Sequence, residues 1–174
     1  VGGAPGGMGA GSVSGVAGRL LAPSADRAYT AFPEVESRFP RRRLRRFGVP
    51  LRRAFTPSPY APRADQCRIL VLGGSLGAKA LNEAMPSALA ALARQHPEVH
   101  VLHQAGRGNA QATLARYHEH GVAGSATVVD FIDDVGVEID RADLIVSRSG
   151  AGALSEICAI GRASLLVPYP FAVD

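Results

Sequence analysis

Cysteine is scarce in this chain: Cys67 and Cys158 are the only two in 174 residues, far apart and with no histidine at ligand spacing. That excludes a disulfide framework and a cysteine–histidine zinc site, and it points to reduced thiols in a cytoplasmic protein. The five histidines do not supply a metal site either. His96 and His100 are four apart, but Pro97 breaks any helix that would align them. No metal and no cofactor is expected. An uninterrupted apolar run of about 20 residues, long enough to cross a bilayer, is also missing. The longest candidate, residues 157–169, is broken by Arg162 and Pro168 and reads as buried helix and strand. No basic start followed by an apolar core marks a secretory signal. The chain opens on Val1 and stops at Asp174, which reads as an internal piece of a longer protein.

What is present is ordinary for a packed domain: 47% hydrophobic and 20% charged residues. The net charge of +4 is unevenly spread. Arg41, Arg42, Arg43, Arg45, Arg46, Arg52 and Arg53 form one basic cluster, read mainly as a solvated loop. No RNA-binding or zinc-finger pattern accompanies it, so nucleic acid is not an expected partner.

Two textures divide the chain. Residues 1–18 are mostly Gly, Ala and Ser, and residues 19–66 are rich in Pro and Arg. Short strands are expected at 28–32 and 47–51. From Cys67 onward, short apolar runs alternate with helical patterns. Strands are expected at 68–72, 99–103, 127–131, 144–147 and 164–167. Helices are expected at 76–94, 110–119, after Asp133, and at 152–160. Five such alternations imply an α/β fold with a doubly wound, Rossmann-like parallel sheet. Ligands of such sheets bind beyond the carboxyl ends of the strands.

Two strand-to-helix turns on alternate strands of that sheet are glycine-rich. The first is Gly73-Gly74-Ser75-Leu76-Gly77-Ala78. Glycines allow a tight bend and close approach of a ligand, and the following helix start favours an anion. Ser75 can cap that helix or donate to a phosphate oxygen. The spacing is not G-x-G-x-x-G and no acidic residue closes the second strand, which argues against a dinucleotide. The second turn is Arg148-Ser149-Gly150-Ala151-Gly152-Ala153-Leu154-Ser155-Glu156. Glu156 is placed in the first helical turn, where its carboxylate either accepts both hydroxyls of a ribose or merely stabilises the helix start. A third turn, Phe131-Ile132-Asp133-Asp134, offers Asp133 as a cap and the Ile132 backbone to the edge of a flat base. These residues argue for a nucleotide-phosphate ligand.

Ile69–Asn82 with Met85-Pro86, His103-Gln104-Ala105-Gly106, Phe131-Ile132-Asp133-Asp134, Arg148–Glu156 and Val167-Pro168 together resemble the C-terminal half of the MurG family of glycosyltransferases. Gly48–Arg52 resembles an upstream element of the same family more loosely. The resemblance implies a GT-B architecture of two Rossmann-like domains, with residues 1–66 a remnant of the acceptor-side domain and linker, and 67–174 the UDP-sugar domain. It implies metal-independent transfer of N-acetylglucosamine from UDP-N-acetylglucosamine to undecaprenyl-linked lipid I, making lipid II. It places the enzyme peripherally on the cytoplasmic face of the bacterial inner membrane. Residue by residue, Glu156 would hold the ribose, Ser75 and nearby backbone the phosphates, the Ile132 main chain the uracil, and Arg52 the diphosphate. Ala151, Gly152, Ala153, Leu154, Ser155 and Glu156 would wall the uridine. Val49 stands where the family has asparagine, and Gly11 or Ser14 where it has another. The family's histidine-bearing loop is not in this chain, so no catalytic base is named and the piece alone is expected to be inactive. The alternatives are another GT-B UDP-sugar transferase and a non-catalytic nucleotide-binding module.

Overall fold

The computed structural model describes residues 7–9, 27–38, 41–74 and 77–168. Ser75, Gly11 and Ser14 lie outside the described residues, as does most of the glycine-rich segment 1–18. Two parallel sheets carry the chain. The first has three short strands in sequence order: β1 (Gly7–Gly9), β2 (Ala28–Thr30) and β3 (Leu44–Arg46). The strand expected at 47–51 forms three residues earlier, because Leu44–Arg46 pairs in register with Ala28–Thr30. Arg46 adds a two-pronged bond to Glu36, at 2.6 and 2.7 Å. Phe47 is left 76% exposed past the strand end.

The second sheet holds β4 (Cys67–Leu72), β5 (Val99–Gln104), β6 (Ala126–Val129), β7 (Leu144–Arg148) and β8 (Ser164–Val167). All are parallel, in the order β6-β5-β4-β7-β8. Helices α1 (Lys79–Ala93), α2 (Ala110–Glu119), α3 (Val135–Arg141) and α4 (Ala151–Ile160) fill the crossovers. Alternating strand and helix in the sequence therefore becomes the Rossmann-like sheet it implied. Central β4 is a continuous apolar run because helices cover both its faces, and Ile69, Leu70, Val71 and Leu72 are all buried. Edge strand β8 is the converse case, with Leu165 57% exposed.

One face of the sheet packs Ile69, Val71, Val101 and Val146 against Leu81, Leu89 and Tyr117 of α1 and α2. The other packs Leu70, Leu72 and Ile145 against Ile139 of α3 and Ile157 and Ile160 of α4. Phe55, from the irregular chain ahead of β4, is buried in this second core. Two element ends differ from expectation for identifiable reasons. Strand β6 stops at Val129 because Asp130 leaves the ladder, and its carboxylate accepts from the Ala110 N–H at 2.9 Å. Helix α1 starts at Lys79, three residues late, after a turn that needs positive φ at Gly74 and Gly77.

Candidate functional site

In the order β6-β5-β4-β7-β8 the chain winds outward from β4 to β6, then returns to β7 on the other side. The reversal opens a crevice beyond the carboxyl ends of β4 and β7, where ligands of open parallel sheets bind. The two glycine-rich turns follow these two strands, and Leu72 pairs with Ser147. The strands are thus immediate neighbours rather than alternates, which brings the turns closer together than the linear pattern suggests.

Within the first turn the glycines have different duties. A Cβ on Gly77 would lie 2.2 Å from the Ala105 carbonyl oxygen, and one on Gly73 would lie 2.8 Å from the Ala78 nitrogen. Those two let the loop sit against β5. Gly74 has φ +78° and faces open space, so it bends the chain without packing against anything. Beneath the turn runs a buried polar chain. His103 Nδ1 lies 3.0 Å from the Tyr117 hydroxyl and Nε2 lies 3.0 Å from Asn82 Oδ1. Asn82 Nδ2 donates to the Ala105 carbonyl at 2.9 Å. With its amide committed as a donor there, Asn82 accepts from Nε2–H, so Nδ1 accepts from the Tyr117 hydroxyl. Burial holds the His103 imidazole neutral, pulling its pKa down to about 4, and pushes Tyr117 up.

The helix starts divide into two kinds. Asp130 accepts from the first amide of α2, and Asp134 caps α3 by accepting from Val137 N–H at 3.2 Å. The cap of α3 is therefore Asp134, not Asp133, because Asp134 occupies the residue before the first helical turn. Helix α1, after Ala78, and helix α4, after Gly150, have no side-chain cap. Ser75 stands three residues ahead of the α1 cap position. Among the described residues these two starts meet no capping side chain, and both lie at the carboxyl ends of the neighbouring strands β4 and β7.

Helix α4 runs Ala151–Ile160, so Glu156 sits in its second turn and not its first. Its value as a helix-start anion is correspondingly small. Its carboxyl is instead pushed above the usual range by burial, with the Arg52 charge opposing the shift. Arg52 Nη2 lies 3.8 Å from Glu156 Oε1 and its guanidinium 5.1 Å from the Phe55 ring centre. Two residues 104 positions apart in the sequence thus meet on α4. None of residues 151–156 is buried, whereas Ile157 and Ile160 are core. The Ser155 hydroxyl bonds back to the Ala151 carbonyl at 2.7 Å.

Ile132 is buried through its side chain, and its N–H donates to Gln104 Oε1 at 3.2 Å. An amide N–H only donates, so the Gln104 oxygen must face it and the Gln104 amino group points elsewhere. Any main-chain reading of a base at Ile132 therefore involves Gln104, a residue the sequence singles out only as part of a motif. An open pocket of about 280 Å³ lined by Arg68, His100, Thr127 and Arg141 lies toward the other ends of the strands, away from both turns. Among the described residues no group of three or more His, Cys, Asp or Glu is placed to hold a metal, and no helix is long and apolar enough to cross a membrane.

The sequence profile of the glycosyltransferase family 28 C-terminal domain matches residues 68–174. The chain belongs to that family. The glycosyltransferase family 28 match begins with β4 and takes in both glycine-rich turns, while Arg52 and Phe55 lie ahead of it. A UDP-N-acetylglucosamine–N-acetylmuramyl-(pentapeptide) pyrophosphoryl-undecaprenol N-acetylglucosamine transferase of Sorangium cellulosum is 52% identical, over 94% of this chain and 40% of its own length. A protein of the same description from Verminephrobacter eiseniae is 48% identical, over 94% of this chain and 46% of its own length. The crystal structure of Acinetobacter baumannii MurG superposes with a TM-score of 0.67 at 34% identity, covering 96% of this chain and 46% of that one. The chain spans less than half the length of these relatives.

Proposed function

We propose that this chain is the donor-binding part of an inverting glycosyltransferase that moves N-acetylglucosamine from UDP-N-acetylglucosamine to undecaprenyl-linked lipid I, making lipid II. In this reading residues 67–174 form the UDP-sugar domain and residues 1–66 the remnant of an acceptor-side domain with its linker. The observation that carries it is the pair of helix starts on neighbouring strands that meet no capping side chain among the described residues, with Arg52 paired to Glu156 of α4. The names of the relatives support the sugar and the acceptor.

The chemistry suits that geometry. An acceptor hydroxyl attacks the anomeric carbon and loses its proton to a general base, while the bond from that carbon to the phosphate oxygen breaks. UDP departs with growing negative charge, which helix amides and a guanidinium stabilise. Glu156 holds the ribose hydroxyls, its carboxylate accepting from both, and Arg52 leaves it to meet the diphosphate. Ser75 and the amides after Gly73, Gly74 and Gly77 meet the phosphates, and the backbone at Ile132 meets the uracil. The reaction centre needs no metal in this reading, and the protein works peripherally at the cytoplasmic face of the inner membrane.

UDP is expected to raise the melting temperature of the protein more than ADP does. Equal shifts would remove the uracil assignment and leave only a diphosphate site.

A further inference from the structure

Between β3 and β4 the chain from Leu51 to Tyr60 has no helix or strand of its own, yet it is tied down along its length. Phe55 is 6% exposed in the core shared with Ile132, Ile139, Ile157 and Ile160. Ser58 N–H donates to the Ile160 carbonyl at 3.3 Å. The Tyr60 hydroxyl donates to Asp143 Oδ1 at 2.9 Å. One side chain binds this strap from below. Arg162, whose side chain is 3% exposed, donates from Nη1 to the Ser58 carbonyl at 2.9 Å. It reaches the Asp140 carbonyl from Nε and Nη2, at 3.0 and 2.8 Å, and Asp140 Oδ1 at 2.6 Å. Its guanidinium also lies 5.7 Å from the Tyr60 ring centre.

A buried arginine is expensive unless each donor is used, and here the fork joins three separate pieces of chain: the strap, the end of α3 and the end of α4. It touches no residue of the candidate site. Its effect reaches the site through the strap. Ser58 follows Phe55 by three residues, and the Phe55 N–H closes a turn onto the Arg52 carbonyl at 3.1 Å. A buried phenyl ring sets how deep the strap lies but not its register, because apolar contact is non-directional. The hydrogen bonds at Ser58 supply the register. Arg52 itself is 67% exposed, so its aim depends on where that turn is held.

We propose that Arg162 is a positioning residue for Arg52, clamping the strap so that the Arg52 guanidinium stays at the crevice rim within reach of a diphosphate. The proposal rests on the reading of Arg52 as the diphosphate arginine. A lysine at position 162 keeps the charge but cannot reach Ser58 and Asp140 together, which makes Arg162→Lys the informative variant.

The test is calorimetric titration of UDP and of uridine into the intact protein, as wild type, Arg52→Ala, Arg162→Lys and the double variant. Arg162→Lys is expected to weaken UDP by roughly five- to tenfold, the size of part of a charge-assisted hydrogen bond, and to leave uridine unchanged. The double variant is expected to bind UDP no more weakly than Arg52→Ala. Equal losses for UDP and uridine, or additive losses in the double variant, would overturn the positioning role while leaving Arg52 its own. If Arg52→Ala weakens both ligands alike, the diphosphate reading of Arg52 fails and takes this proposal with it. Should Arg162→Lys not fold, Tyr60→Phe removes only the tie to Asp143; a UDP-selective loss supports the clamp, and an unselective one or none refutes it.

Discussion

Gly77 and Glu156 show how differently two residues of the proposed donor site are constrained. Any side chain at Gly77 meets the Ala105 carbonyl at 2.2 Å with φ at +78°, so both the space and the backbone exclude it. Gly77→Ala should destabilise the fold by about 2 kcal/mol or more, read as a lower midpoint in denaturant. Gly74→Ala shares the φ but meets open space, and it should be milder. Glu156 is the reverse case, a carboxyl whose charged form burial disfavours. Its folded-state carboxyl pKa is raised by burial, so its favourable contribution exists at low pH, where it is protonated, and is lost as pH rises through that value. Near neutral pH the ionised group opposes folding. Glu156→Gln should therefore melt at the same temperature or higher while losing part of the protection given by UDP. A variant that melted lower and still responded fully to UDP would assign Glu156 to structure alone.

At the scale of elements, the helix starts differ in how they are capped. Asp130 and Asp134 are spent on α2 and α3, while α1 and α4, which follow neighbouring strands, meet no capping side chain among the described residues. The sequence pattern points to Asp133, and the backbone at the end of the turn puts Asp134 in the cap position instead. The chain of Tyr117, His103 and Asn82 couples α2, β5 and α1 beneath the first turn. Its pH behaviour follows from the depressed histidine pKa. The stabilising contribution of neutral His103 is complete above its ordinary 6.5 and is lost as pH falls toward about 4, because the unfolded chain takes up a proton that the folded core refuses. The loss over that window is about 3 kcal/mol. Unfolding midpoints should drop across it, and His103→Phe should flatten that segment of the profile. An equally steep profile in the variant would place the acid sensitivity elsewhere.

For the molecule as a whole, the informative residue is Phe55. It precedes β4 by twelve positions and the family match by thirteen, yet it is buried among Leu70, Leu72, Ile139 and Ile157 of the second sheet and its helices. The second body thus begins, in packing terms, with the strap and not at Cys67. Phe55→Ala should destabilise it by about 3 kcal/mol or more, the usual penalty for emptying a core phenylalanine, in thermal or chemical unfolding. A loss under about 1 kcal/mol would mean that the strap lies on the surface in solution.

The βα alternation from Cys67 onward was readable because a doubly wound sheet needs continuous apolar strands at its centre and one-sided helices over them, and both are local patterns. Residues 110–119 and 164–167 form their helix and strand at the expected ends for that reason. The glycine turns were readable too, since few other residues tolerate such bends. Strand order, by contrast, follows from which edges pair in space. It made neighbours of β4 and β7 and so set the two turns side by side. The meeting of Arg52 with Glu156, the hold of Gln104 on Ile132 and the grip of Arg162 on the strap join distant parts of the chain. No periodicity records such contacts, because side chains far apart in sequence interact only once the core has brought their backbones together.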